Sequence, residues 1–133
     1  MSRIPAAPAT FRFPYGTCSP QSLQTTGRLG LAAIQWDVIS GDADPGATAE
    51  RVVRAVLAGV RPGSIVVMHA NGRGHGTACA LPQIVAGLRA KGYRFVTVSE
   101  LLRSGEPVAA DGCYELRPGD NRRYDRLFGE GTG

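Results

Sequence analysis

At 133 residues the chain is one domain's worth of polypeptide, enough to bury a single modest core. Hydrophobic residues make up 43% and charged residues 20%, the balance of a globular protein and not of a disordered one. The net charge of +4 is scattered along the chain and carried almost wholly by arginine, which argues against nucleic acid; a binder of that kind concentrates its basic residues in one stripe.

No run approaches the roughly 18 apolar residues of a membrane span. Met1 to Thr10 also lacks the apolar stretch of a signal peptide, so the expected product is a chain not itself addressed for export, its compartment left open. Cys18, Cys79 and Cys113 are an odd set with long, uneven spacing and no C-x-x-C, which excludes a cysteine-based zinc site. Each is expected to be a small buried or half-buried thiol, not a disulfide partner.

In chain order, residues 1–10 read as a disordered Pro/Ala-rich lead. Phe11 to Gly16 reads as a brief strand running into a turn. Ser19 and Pro20 then open a helix to about Thr26, with Gly27 as its stop. Leu31 to Trp36 is the second strand, and Asp37 to Gly46 a long acidic loop. Thr48 to Gly59 is the clearest helix, with Val52, Val53, Val56, Leu57 and Val60 on one stripe.

Ile65-Val66-Val67-Met68 reads as a central strand buried on both faces, running into His69. A Gly-rich loop, Asn71 to Gly76, follows it. The next helix spans Thr77 to Lys91 with Leu81, Ile84, Val85 and Leu88 inward; Pro82 is tolerable there only in a first turn, and Gly92 ends it. Phe95 to Val98 is the last strand, and Ser99 caps a short helix through Leu102. Residues 105–133 read as a flexible, Arg-rich tail, and its Arg122, Arg123, Tyr124 and Arg126 as charged solvated residues. Strands alternating with helices predict an α/β fold of about four parallel strands, half of what a closed barrel uses.

Arg12 to Tyr15, Trp36 to Asp42, and His69 each fall at the C-terminal end of a predicted strand, the edge where parallel α/β folds bind ligands. The ordered set Arg-Phe-Pro-Tyr-Gly (12–16), Trp-Asp-Val-Ile-Ser-Gly-Asp (36–42) and Ile-Val-Val-Met-His (65–69) resembles the last three motifs of the polysaccharide deacetylase family, the NodB-type group of carbohydrate esterase family 4. Gly92 to Leu101 is similar to the family's C-terminal end, so residues 11–104 look like the C-terminal part of such a domain, a partial (β/α) barrel.

The resemblance implies hydrolysis of acetyl groups on a polysaccharide or oligosaccharide, with a divalent metal, zinc above all, in the complete domain. His69 would be the general acid that protonates the departing amine, and Asp42 the carboxylate that holds its imidazole. The Tyr15 N–H would hold the tetrahedral oxyanion, with Pro14 fixing the turn, and Arg12 would orient the catalytic base. Trp36 and Val67 would line the substrate pocket; Val67 stands where the family has Leu. Ile39 and Ala43 also depart from the family pattern, standing where it has Asp and Trp.

The family's Asp-Asp pair and His-x-x-x-His motif, which supply base and metal ligands, have no counterpart in the eleven residues before Arg12. No metal ligand is therefore assigned in this chain, which reads as truncated, and a half barrel is expected to self-associate. Without the resemblance, Asp37, Asp42 and Asp44 read as a solvated loop, and Trp36 as a core wall as readily as a stacking surface. Two alternatives stay open: a Rossmann-like phosphate site on Gly72 to Gly76 with Glu100 as its ribose acid, and a glycan-binding remnant without activity.

Overall fold

The computed structural model describes residues 8–115. Among them the elements in chain order are β1 (Thr10–Phe11), a 3-10 turn (Pro14–Gly16), α1 (Pro20–Arg28), β2 (Ala32–Ala33), β3 (Val38–Ile39), α2 (Ala49–Gly59), β4 (Val66–Val67), α3 (Thr77–Ala90) and α4 (Val98–Arg103). They form two compact units: Trp36–Thr97, and the segments on either side of it.

In the flanking unit β1 pairs in parallel with β2, Thr10 opposite Ala32 and Phe11 opposite Ala33. Helix α1 begins as its sequence requires. The Ser19 hydroxyl accepts from the Ser22 N–H at 3.1 Å and the Ser22 hydroxyl accepts from the Ser19 N–H at 2.9 Å, with Pro20 at the first helical position. The helix runs through Gly27, however, and stops two residues later than expected. The glycine that ends it is Gly30, left-handed at φ 73°, which lets Gly30 N–H reach Gly27 O and Leu31 N–H reach Thr26 O.

Cys18 and Cys113 are joined by a disulfide, against the expectation of three separate thiols; Cys79 is free and exposed. The bond closes a loop of 95 residues, long enough to restrict the unfolded chain by about 4–5 kcal/mol on the chain-entropy account. Gln35 adds a second tie, its amide donating to Gly16 O at 3.1 Å and to Tyr114 O at 2.9 Å. The end of the described chain, expected to be loose from residue 105, is thus fastened at Cys113 and Tyr114. The arginines at 122, 123 and 126, like residues 1–7, lie outside the described residues.

In the central unit β3 and β4 pair in parallel, Val38 opposite Val66 and Ile39 opposite Val67. Strand β3 lies inside the stretch read as an acidic loop, and the strand expected over Leu31 to Trp36 shrinks to Ala32–Ala33. Residues 65–68 are half-buried, not covered on both faces, because β4 has one strand neighbour among the described residues. The run Phe95 to Val98 forms no strand: no described strand pairs with it, Phe95 is 51% exposed, and Val98 already belongs to α4. Ser99 accordingly sits inside that helix and not before it.

The core is the crossing of α2 and α3. Val52 and Val56 meet Ala80, Ile84 and Leu88, and Val66 of β4 and Met68 just after it pack against the cluster. Thr48 caps α2 by accepting from the Arg51 N–H. On α3 the buried line is 80, 84 and 88, an i, i+4 ridge, so Leu81 is turned out at 47% exposed. Pro82 lies in the second turn, one turn further in than expected. Gly92 ends α3 as Gly30 ends α1, with Gly92 N–H on Arg89 O and Tyr93 N–H on Leu88 O. At Gly87 a Cβ would stand 3.0 Å from the Leu57 methyls, so this glycine sets how closely the helices cross.

This packing separates two leucine-sized residues of one helix. Ile84→Ala should cost about 2–5 kcal/mol in urea unfolding. Leu81→Ala should stay within about 0.5 kcal/mol of the parent. Equal losses would mean that the ridge is misplaced.

Candidate active site

Parallel pairing brings the loops after β3 and β4 out at the same edge of their ladder. Ser40 is buried and its N–H donates to Val67 O at 3.4 Å; Gly41, left-handed at φ 78°, then turns the chain so that Asp42 points back inward. The Asp42 side chain is 2% exposed and that of His69 38%.

Every oxygen of Asp42 has work to do. Oδ1 lies 2.8 Å from His69 Nδ1, while Oδ2 accepts from the His69 N–H at 2.7 Å and from the Thr77 hydroxyl at 2.8 Å. The Asp42 carbonyl accepts from the His75 N–H at 2.7 Å, and the Asp42 N–H donates to Ser40 Oγ. Burial acts to raise the Asp42 pKa, but the hydrogen bonds from the His69 backbone and ring, from Thr77 and from Ser40 outweigh it, and the net shift is downward from 3.8. An ionised carboxylate can only accept. The proton of the neutral His69 ring therefore sits on Nδ1, leaving Nε2 as the working nitrogen. Gly74 completes the fit, since a Cβ there would collide with the His69 carbonyl oxygen and the Thr77 hydroxyl.

Asp37 and Asp44, the other acids of this stretch, are structural. Asp37 accepts from the Ile65 N–H at 2.7 Å and the Ser64 hydroxyl at 2.8 Å, fixing the entry to β4. Asp44 accepts from the Gly46 N–H in a local turn. Trp36 is half-buried between β2 and β3 and not in the strand that it was expected to end, and Val67 is half-buried within β4.

Arg12, Pro14 and Tyr15 belong to the flanking unit. Arg12 Nε donates to Ile34 O at 3.3 Å, and Pro14 starts the 3-10 turn. Tyr15 takes a left-handed backbone at φ 59°, the one non-glycine residue to do so among the described residues. Such strain, of order 1–3 kcal/mol, gathers at functional sites. The sequence reading missed Thr77 and Ser40 as partners of Asp42; the start of α3 was legible, its hydrogen bond back to the acidic loop was not.

Among the described residues no group of three His, Cys, Asp or Glu side chains is placed to hold a metal ion. These residues do not fit a metal centre by themselves. The Gly72 to Gly76 loop does not serve a Rossmann unit either: no strand follows α3 among the described residues, and Glu100 lies in α4.

No protein-family model matches the chain. It is 45% identical over 65 residues to a chitooligosaccharide deacetylase of Bradyrhizobium sp., covering 48% of this chain and 29% of the relative. It is 36% identical over 100 residues to a peptidoglycan-N-acetylglucosamine deacetylase of Bacillus cereus, covering 72% of this chain and 46% of the relative. Its structure superposes on a family 4 carbohydrate esterase from Streptomyces lividans with a TM-score of 0.63 at 31% identity, over 78% of this chain and 51% of that one. The chain carries part of a polysaccharide deacetylase domain. Its paired parallel strands and helices are a portion of that domain's (β/α) barrel. The chain spans less than half the length of the curated deacetylases it matches.

The lowered pKa of Asp42 fixes the sign of a pH effect. A depressed carboxylate contributes stability above its unfolded pKa, and that contribution is lost as pH falls through the native value. The stability gap between the parent and Asp42→Ala in urea unfolding should therefore be about 2–4 kcal/mol at neutral pH. It should narrow below pH 3.8. A gap that widens on acidification would contradict the ionised, hydrogen-bonded carboxylate.

Proposed function

We propose that this segment supplies the general-acid half of a site that hydrolyses acetyl groups from an amino-sugar glycan. The observation that carries the reading is the contact of buried Asp42 with His69 Nδ1 at 2.8 Å, which leaves Nε2 for the substrate. Amide hydrolysis stalls unless the departing amine is protonated. A His69 imidazolium, oriented by Asp42, would deliver that proton.

The remaining roles follow the family pattern. The Tyr15 N–H, in its left-handed turn after Pro14, would donate to the tetrahedral oxyanion. Arg12 would orient the base, while Trp36 and Val67 would line the pocket. The base itself, and the ligands of a divalent metal such as zinc, would come from the part of the domain that the chain does not span. The names of the two curated relatives support N-acetylglucosamine polymers, chitooligosaccharide or peptidoglycan, as the substrate class.

A chimera tests this. The preceding part of the Bacillus cereus deacetylase, fused ahead of Arg12, should release acetate from N-acetylated chitooligosaccharide. His69→Gln should lower the rate by about 10²- to 10⁴-fold. A folded chimera that is inactive, or one indifferent to His69→Gln, would overturn the reading.

The unmatched strand edges support a second expectation, association of the isolated chain. Sedimentation velocity should show dimers or larger species, and a sharp monomer at all concentrations would exclude it.

A further inference from the structure

We propose that Thr77 is a positioning residue for the acid, locking the Asp42 carboxylate so that the His69 ring is held as its Nδ1–H tautomer. The proposal rests on the Asp42–His69 reading above and adds the group that fixes the carboxylate itself.

A carboxylate that pairs with a histidine ring through one oxygen can still rotate about its Cβ–Cγ bond. Two donors converge on the other oxygen here and stop that rotation. One is the His69 N–H at 2.7 Å, which belongs to the very residue being oriented; the other is the Thr77 hydroxyl at 2.8 Å, which comes from a different element. Thr77 is the first residue of α3, whose buried ridge at Ala80, Ile84 and Leu88 anchors the helix in the core. The hydroxyl therefore transmits the position of a rigid helix to the carboxylate, and the carboxylate transmits it to the ring.

Two neighbours keep the hydroxyl in place. Gly74 leaves no room for a side chain between Thr77 Oγ1 and the His69 carbonyl, and the His75 N–H on the Asp42 carbonyl ties the intervening loop down. Asp42 accepts only, so Thr77 must be the donor in this pair. The fixed tautomer matters because only Nε2 is then available to carry the proton to a leaving amine.

The test reads the His69 ring directly in the full chain by ¹H–¹⁵N NMR, without activity. The parent should show the Nδ1–H form in clear excess at a pH above the imidazole titration. Thr77→Val keeps the shape and removes the hydroxyl, and should lower the Nδ1–H to Nε2–H ratio by up to about tenfold, the limit reached when the whole weight of that charge-assisted hydrogen bond is lost from the Nδ1–H form. Thr77→Ser should restore it. An unchanged ratio in a folded Thr77→Val chain, or no rescue by serine, would overturn the proposal.

Asp42→Asn separates this from failure of the pair beneath it. If that variant leaves the tautomer unchanged, the Asp42–His69 reading falls; if it flips the tautomer while Thr77→Val does not move it, only the role of Thr77 falls. Should Thr77→Val unfold, the parent decides. Its Thr77 hydroxyl proton should be seen as a slowly exchanging resonance near His69, and its absence would overturn the proposal.

Discussion

A single buried carboxylate organises the candidate site. Asp42 gathers the loop after β3, His69 beyond β4 and the first turn of α3 onto its own polar atoms. Without it the His69 N–H and the Thr77 hydroxyl would lose this acceptor, at about 1–3 kcal/mol for each donor left unsatisfied. Because the same carboxylate that satisfies these donors also holds the His69 ring, the loops and the ring share one anchor. The geometry is over-determined, as the proposed role of His69 would require.

The two short ladders contribute little by themselves. Strands of two residues offer few hydrogen bonds, and the packing that holds the central unit is helix on helix, through Val52, Val56, Ala80, Ile84 and Leu88. The sheet's role is directional. Parallel pairing of β3 with β4 delivers Asp42 and His69 to the same edge, and Asp37 fixes where β4 starts by accepting from the Ile65 N–H and the Ser64 hydroxyl. Two aspartates five residues apart thus do opposite things. Asp37 sets the entry of a strand, and Asp42 holds the His69 ring beyond its exit.

The helices were legible because 3.6-residue periodicity and caps such as Ser19 and Thr48 are local signals. The strands were not, since a two-residue ladder leaves almost no pattern. Val38–Ile39 is flanked by Asp37 and Ser40 and read as loop, while the apolar run at Phe95 to Val98 finds no partner and stays unpaired among the described residues. Gly27 and Gly30 look alike in sequence, and only backbone geometry tells which one turns left-handed. His69 and Asp42 were singled out through the order of motifs, and the structure brings the two side chains together at 2.8 Å. Thr77 was not, because no spacing rule links the first residue of a helix to a carboxylate 35 positions earlier. The Cys18–Cys113 bond was missed for the same reason: distance along the chain says nothing about distance in space.

That bond makes the described chain, between its two cysteines, a covalent ring. The entire central unit, Asp42, His69 and Thr77 with it, lies inside the ring as an insertion between the paired ends. A protease cut anywhere from residue 19 to 112 would leave both pieces attached, so the segment could be nicked in a loop and lose no part of its candidate site. Reduction removes this tolerance, and a chain nicked before α4 would then be two separate polypeptides, one with the Arg-Phe-Pro-Tyr-Gly turn and the other with α4.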